Sequence, residues 1–170
     1  MVRYFTVDRN RTLIESQTIS LIKYTDIYPL EMQNHVDSLF PDGVTNHGEL
    51  YVIRGSTPAN GINGSLELLF EYVRRSHFPS RPSRFQSVFA FNDLDQARSF
   101  MGLYSTSSGN IWEIESALGF RADMRLLTLN GSLLNLSNNA HRYWDGISGG
   151  DSPIWEILLT PPVKVIRRVN

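Results

Sequence analysis

The feature that most constrains this chain is an apolar run near its C-terminal end, residues 154–159, which Glu156 interrupts. The run is followed by Pro161-Pro162, and its length and composition predict a β-strand. Alternation along a strand places Glu156 on the face opposite Trp155. An unpaired buried carboxylate costs several kcal/mol to desolvate. We therefore expect the Trp155 face to be core and the Glu156 face to line a pocket.

Composition limits the class of protein. A chain of 170 residues with 41% hydrophobic content suits one globular domain, which we assign to residues 1–170. The absence of cysteine excludes disulfides and thiolate chemistry and suits a reducing cytoplasm, which is the expected location. A net charge of −1 gives no global attraction to nucleic acid. Charged residues interrupt every apolar run well before the roughly 18 residues of a spanning helix, so no membrane partner is expected.

Short strand-like runs alternate with helical segments, without repeated βαβ units. The clearest helix covers residues 65–77, where apolar residues recur at helical spacing and Asn63 or Ser65 can serve as the N-cap. Further helices are expected to begin near Pro29, to follow Asn92 or Asp93, and to cover residues 140–144. The predicted strands are residues 3–7, 49–54, 85–91, 111–116, 154–159 and 163–169. This pattern predicts an α+β fold with a mostly antiparallel sheet core and flanking helices.

Two arginines follow the clearest helix on a stretch that prolines stiffen, between Arg81 and Arg84. A guanidinium on such a stretch is preorganised to bind a phosphate or a carboxylate. The alternative is a surface loop whose arginines are solvated or paired with Glu71. The aromatic pair Tyr143 and Trp144 is likewise open to two interpretations, a binding surface or ordinary core.

Metal and phosphate motifs are weak in this sequence. The four histidines are scattered, and none lies at i, i+4 from a second type of ligand, so no metal site is predicted. Residues 60–64 precede a helix but lack the Lys-Ser/Thr of a phosphate-binding loop. We interpret them as a plain loop with an N-cap.

Three blocks of sequence together carry a resemblance. The first is Arg-Tyr-Phe-Thr-Val-Asp at residues 3–8, the second includes Pro82-Ser83-Arg84 and Ser87-Val88-Phe89, and the third joins Tyr143-Trp144 to Glu156-Ile157-Leu158-Leu159. In this order they resemble ADP-ribosyltransferases of the bacterial and phage kind, specifically the DarT-like toxins and a related group of small uncharacterised bacterial domains. The resemblance implies an ADP-ribosyltransferase-like fold with a split β-sheet.

The resemblance also implies NAD as co-substrate and gives roles to particular residues. Glu156 is implied as the catalytic carboxylate, which stabilises an oxocarbenium-like transition state. Arg84 is implied to bind the pyrophosphate, and Tyr4 and Thr6 the nicotinamide portion. Phe5 stands where the family usually has a histidine that binds the ribose. The remaining implied contacts with NAD are a ribose hydrogen bond from Ser87 and stacking by Phe89, Tyr143 or Trp144.

The function that the resemblance implies is an NAD-dependent mono-ADP-ribosyltransferase, acting as a toxin or phage-conflict effector on an RNA or DNA base, with an antitoxin or inhibitor protein as a further partner. A local basic patch for the nucleic acid is expected from Arg74, Arg75, Arg81 and Arg84. The alternatives are a protein side chain as acceptor and a catalytically inactive NAD-binding or interaction module. In an active enzyme, the role of the missing histidine passes to Arg3, Tyr4 or, more remotely, His47.

Overall fold

The computed structural model describes residues 1–55, 62–103 and 109–170, and its strands form two antiparallel sheets. The strands are β1 (Val2–Asp8), β2 (Thr18–Ile19), β3 (Val88–Ala90), β4 (Asn110–Ser116), β5 (Phe120–Asp123), β6 (Trp155–Leu159) and β7 (Val163–Arg168). The larger sheet has the order β1-β4-β7-β2, and the smaller has the order β3-β6-β5. Every pairing is antiparallel, which confirms the predicted α+β class.

Helices flank these sheets, and side-chain caps precede α3 and α4. Those in the described ranges are α1 (Leu30–Leu39), α2 (Asn46–Gly48), α3 (Gly64–His77), α4 (Leu94–Leu103) and α5 (Leu133–Asp145). The Asn63 side chain caps α3 by accepting from the Ser65 backbone at 2.8 Å, and Asp93 accepts from the Gln96 backbone at 2.8 Å before α4. Both caps agree with the sequence prediction. No helix in the described residues has the length and apolar character needed to cross a membrane.

The two sheets meet at a backbone bridge. Phe5 of β1 and Phe91, just after β3, exchange two hydrogen bonds of 2.9 and 2.7 Å. The Thr6 hydroxyl donates to the Phe89 carbonyl at 2.7 Å beside them. The edge strand β1 of the larger sheet is therefore joined to the smaller sheet just after β3.

Strand β6, the middle strand of the smaller sheet, is buried on both faces. Ile157 and Leu159 pack in the core of the larger sheet, whereas Leu158 packs against Phe70 of α3 and Tyr143 of α5. The expectation of one core face and one cleft face is therefore wrong for this strand. Trp155, at the start of β6, is only half-buried. The Arg121 guanidinium lies over it, 4.2 Å from the centre of the ring.

The strand predicted for residues 49–54 is wrong. This segment continues α2 as a π-helical segment, Glu49–Ile53, which closes with a hydrogen bond from the Arg54 backbone to the Glu49 carbonyl at 2.9 Å. Its four consecutive apolar residues are all half-buried. A short apolar run of this kind does not distinguish strand from helix by periodicity.

The strand predicted for residues 85–91 is shorter than expected, and the helix predicted for residues 140–144 is longer. A 3-10 turn (Arg84–Gln86) precedes β3, because the Ser83 side chain caps the Phe85 backbone at 3.2 Å. Helix α5 begins at Leu133, where Ser132 and Asn135 form a capping box. Residues 56–61 and 104–108 lie outside the described ranges, and with them the start of the loop predicted for residues 60–64.

Candidate functional site

A buried polar cluster joins α3, the 3-10 turn, α5 and β6. We call it the Glu156 cluster; its central members are Glu67, Arg84, Tyr143 and Glu156. None of the four residues is more than 2% exposed. The cluster is fixed by four separate elements, because Glu67 lies in the first turn of α3, Arg84 begins the turn before β3, and Tyr143 belongs to the last turn of α5.

The Glu156 carboxylate is held by two donors on the same oxygen. Its Oε1 accepts from the Tyr143 hydroxyl at 2.7 Å and from Arg84 Nη1 at 2.5 Å. Arg84 Nη1 also donates to the Tyr143 hydroxyl oxygen, so the three groups form a closed triangle. A carboxylate that accepts charge-assisted hydrogen bonds in this way has one fixed orientation.

Arg84 is shared between two carboxylates. Its Nε donates to Glu67 Oε2 at 2.7 Å and its Nη2 to Glu67 Oε1 at 3.0 Å, which is a bidentate pair. Its remaining terminal nitrogen, Nη1, donates hydrogen bonds to Glu156 and to the Tyr143 hydroxyl. The guanidinium also lies 4.6 Å from the centre of the Phe89 ring. The arginine fork is thus preorganised, with every nitrogen directed at a partner.

His47 connects the Glu156 cluster to the protein surface. Its Nε2 lies 3.2 Å from Glu67 Oε1, at an angle outside hydrogen-bond geometry, and the contact becomes an ion pair when the ring is protonated. The ring packs against Phe89 at 4.7 Å and Tyr51 at 4.8 Å between ring centres. The side chain is 20% exposed, whereas that of Glu67 is fully buried. His47 is the member of this group through which the cluster reaches solvent.

Electrostatics keep Glu67 and Arg84 charged. Burial acts to raise the pKa of the Glu67 carboxyl, but Arg84 and His47 outweigh it and hold that pKa well below its usual range. Burial acts to lower the pKa of Arg84, but Glu156 and Glu67 raise it well above its ordinary value. Burial raises the pKa of the Tyr143 hydroxyl well above its ordinary value, with Arg84 opposing and Glu156 adding to the shift. Tyr143 is therefore protonated at neutral pH and donates to Glu156.

Residues 8–170 match the family model of a protein of unknown function, DUF2441. The protein belongs to the DUF2441 family. The match contains every member of the Glu156 cluster and all strands after β1. No curated protein matches the chain.

Four of the eight site residues expected from the sequence come together in this DUF2441 protein, namely Arg84, Phe89, Tyr143 and Glu156. The other four bond to nearby backbone instead. The Ser87 hydroxyl donates to the Ser83 carbonyl, Trp144 Nε1 to the Phe70 carbonyl, and Thr6 to the Phe89 carbonyl, while the Tyr4 hydroxyl accepts from the Gly119 backbone. These bonds are those of a structural core.

The alternative in which Arg81 or Arg84 pairs with Glu71 is wrong, because Glu71 pairs with Arg74 and Arg75 of its own helix. Arg74 forms a bidentate pair with Glu71 at 3.0 and 2.7 Å, and Arg75 Nε reaches it at 2.8 Å. Arg84 pairs with Glu67 instead. The predicted basic patch of four arginines is therefore wrong, because Arg84 is buried and Glu71 partly neutralises Arg74 and Arg75.

Sequence reasoning missed Glu67 and treated His47 as a remote candidate. Glu67 in the first turn of a helix is adequately explained by the helix dipole, so nothing marked it as buried. The one sequence feature that could have drawn attention to His47 was the neighbouring glycine, Gly48, because a glycine can mark a close approach of the backbone. A Cβ at Gly48 would lie 2.3 Å from the Phe85 carbonyl oxygen, so only glycine allows α2 to approach the 3-10 turn that carries Arg84.

The described residues contain no group of three or more histidine, aspartate or glutamate side chains arranged to hold a metal ion. Both oxygens of Glu67 are already bound by Arg84. The chemistry available to the Glu156 cluster is that of a fixed carboxylate beside a phenol and a guanidinium. Such a group can stabilise positive charge in a transition state or accept a proton.

Proposed function

We propose that this DUF2441 protein is an NAD-dependent mono-ADP-ribosyltransferase, with Glu156 as its catalytic residue and a nucleic acid base as acceptor. The observation that carries the proposal is the shared contact of Tyr143 and Arg84 with one oxygen of Glu156. Arg84 and Glu156 are 72 positions apart in the sequence. Both belong to blocks that resemble ADP-ribosyltransferases, and their contact brings these two distant blocks together.

The reaction breaks the bond between ribose C1′ and the nicotinamide nitrogen of NAD. The bonding electron pair leaves with nicotinamide, and positive charge develops at C1′. The Glu156 carboxylate stabilises that charge. The acceptor nitrogen then forms the new bond to C1′, and its proton passes to Glu156 and on to solvent.

Access to Glu156 requires that Arg84 exchange partners, since the carboxylate is only 2% exposed. Because the guanidinium is planar and rigid, Nη1 leaves Glu156 for the NAD pyrophosphate only when the whole group rotates and gives up its present bidentate pair with Glu67. The exchange frees the carboxylate at the moment the co-substrate arrives. His47, the partly exposed neighbour, supplies the imidazole that Phe5 does not provide.

A catalytically inactive NAD-binding or interaction module is the second candidate. It is favoured by the direct neutralisation of Glu156 by Arg84 and by Phe5 at the position of the usual histidine. Binding of NAD without release of nicotinamide would distinguish this candidate from the enzyme. A toxin or phage-conflict role, with an antitoxin or inhibitor as partner, applies only to the active enzyme.

The acceptor is tested by incubating the purified protein with NAD labelled at the adenylate phosphate, separately with RNA, DNA and total protein. We expect the label to appear in nucleic acid. Label in protein alone would show that the acceptor is a side chain and would contradict the nucleic acid assignment. Label in none of the three, without nicotinamide release, would contradict the enzyme.

A matched pair of variants tests whether Arg84 binds NAD. Arg84→Lys keeps a positive charge but loses the fork, and we expect at least a tenfold loss of NAD affinity by calorimetry. Arg98→Lys is the control, because Arg98 is an exposed residue of α4 whose ion pair is with the exposed Asp95. Equal affinity in the two variants would remove Arg84 from the site.

A further inference from the structure

A groove of about 360 Å³ lies on the surface beside the smaller sheet. It is formed where the chain before Arg84 passes the segment that leads into β5. Its walls include Ser80, Arg81, Pro82, Leu118, Phe120 and Thr160. A volume of this size falls within the range of about 300–1,000 Å³ typical of small-molecule sites.

Arg81 is held in place at the groove before any ligand binds. Its Nε donates to the Trp144 carbonyl at 3.1 Å, and its guanidinium lies 4.6 Å from the centre of the Phe120 ring. Phe120 in turn stacks on Trp144 with ring centres 5.9 Å apart. Among the described residues, the two terminal nitrogens of Arg81 have no hydrogen-bond partner. A fixed guanidinium with free terminal donors binds an oxyanion at little cost in side-chain ordering.

The rest of the groove is neutral and partly apolar. Ser80 and Thr160 are exposed hydroxyl residues, and Leu118 is 86% exposed. No carboxylate is among the described residues that line it, so the charge of Arg81 is not cancelled from within the groove. Its neighbour Arg84 differs in both respects, because Arg84 is buried and paired with two carboxylates.

From these observations we infer that the groove is a binding site for a small organic anion. The carboxylate or phosphate of the ligand pairs with the terminal nitrogens of Arg81, and its apolar portion lies against Leu118 and Pro82. The hydroxyls of Ser80 and Thr160 provide further donors at the rim. This site is separate from the Glu156 cluster and does not depend on the proposed transfer of ADP-ribose.

The probes are phenyl phosphate and benzoate, and benzyl alcohol is the uncharged aromatic control. Each is titrated into the whole protein and followed by chemical-shift changes of backbone amides. We expect both anions to shift the backbone amide signals of residues 80–81 and 118–120. Benzyl alcohol should bind at least tenfold more weakly than either anion. The anion with the higher affinity identifies the ligand as a phosphate monoester or as a carboxylate. Equal binding of the alcohol and the anions would overturn the assignment.

Three variants complete the test. Arg81→Lys should weaken anion binding at least tenfold, since it removes the fork but keeps the charge, and Leu118→Ala should weaken it severalfold by removing apolar contact. Arg98→Lys, on α4, should leave the affinity unchanged. Because Leu118 is 86% exposed, Leu118→Ala should fold like wild type. The anion affinity of this variant therefore tests the site even if Arg81→Lys is unstable. Anion affinity equal to wild type in both groove variants would refute the site.

Discussion

The Glu156 carboxylate is buried in β6, where Arg84 and Tyr143 both donate to its Oε1. A charge inside an apolar strand requires a partner, and Glu156 shares this requirement with Glu113 of β4, which pairs with Arg3 and Arg167. The same pattern also allows a cleft, whereas Glu156 is buried against Arg84 and Tyr143. The choice between partner and cleft depends on tertiary packing, and Glu67, the second carboxylate on Arg84, has an ordinary explanation at a helix start.

Removing the Tyr143 hydroxyl tests whether this group stabilises the Glu156 cluster. Tyr143→Phe keeps the ring in the core but removes the donor to Glu156 Oε1 and the acceptor for Arg84 Nη1. Loss of a buried hydrogen bond that leaves its partner unsatisfied costs about 1–3 kcal/mol. We therefore expect urea unfolding to show a decrease of that size in the free energy of unfolding.

Tyr72→Phe is the matched control, because Tyr72 lies on α3 and is 49% exposed. Its free energy of unfolding should stay within about 0.5 kcal/mol of wild type. If the Tyr143 and Tyr72 variants unfold with the same free energy, the hydroxyl of Tyr143 does not hold the cluster together.

At the scale of elements, α3 supplies two neighbouring buried carboxylates. Glu67 and Glu71 are one helical turn apart, and they organise Arg84 on one side and Arg74 and Arg75 on the other. The helix and its cap were predictable from apolar spacing and Asn63. The burial of both glutamates was not, because periodicity marks the apolar stripe and does not show which polar residues at its border are covered.

Helix α2 is followed by the π-helical segment Glu49–Ile53, which sequence reasoning mistook for a strand. Their position depends on Gly48, where an added Cβ would meet the Phe85 carbonyl oxygen at 2.3 Å and the Val44 Cβ at 2.6 Å. We expect Gly48→Ala to lower the free energy of unfolding by about 1–3 kcal/mol through overpacking. Thermal or urea unfolding measures the change.

The control for this substitution is Gly102→Ala in α4, where an added Cβ finds open space. Alanine replaces glycine in a helix there, so the protein should gain up to about 1 kcal/mol. A Gly48→Ala variant as stable as wild type would show that the close contact between α2 and Phe85 is not needed.

At the scale of the whole molecule, the fold class followed from the order of the segments. Alternation of short strands and helices without βαβ units predicted antiparallel pairing, and both sheets are antiparallel. The bridge between Phe5 and Phe91 and the resulting strand orders were not predictable, because pairing between strands distant in sequence is set by the packed core. The Glu156 cluster depends on that arrangement, since its four members come from four elements.

The release of nicotinamide from NAD tests the central claim most directly. Glu156→Gln keeps the size of the side chain and removes its charge, and Glu31→Gln on α1 is the exposed control. With equal folding checked by circular dichroism, the account predicts nicotinamide release by wild type and Glu31→Gln, and a rate at least about 100-fold lower in Glu156→Gln. Equal rates in all three proteins, or no release by wild type with any acceptor, would contradict the assignment of Glu156 as the catalytic residue.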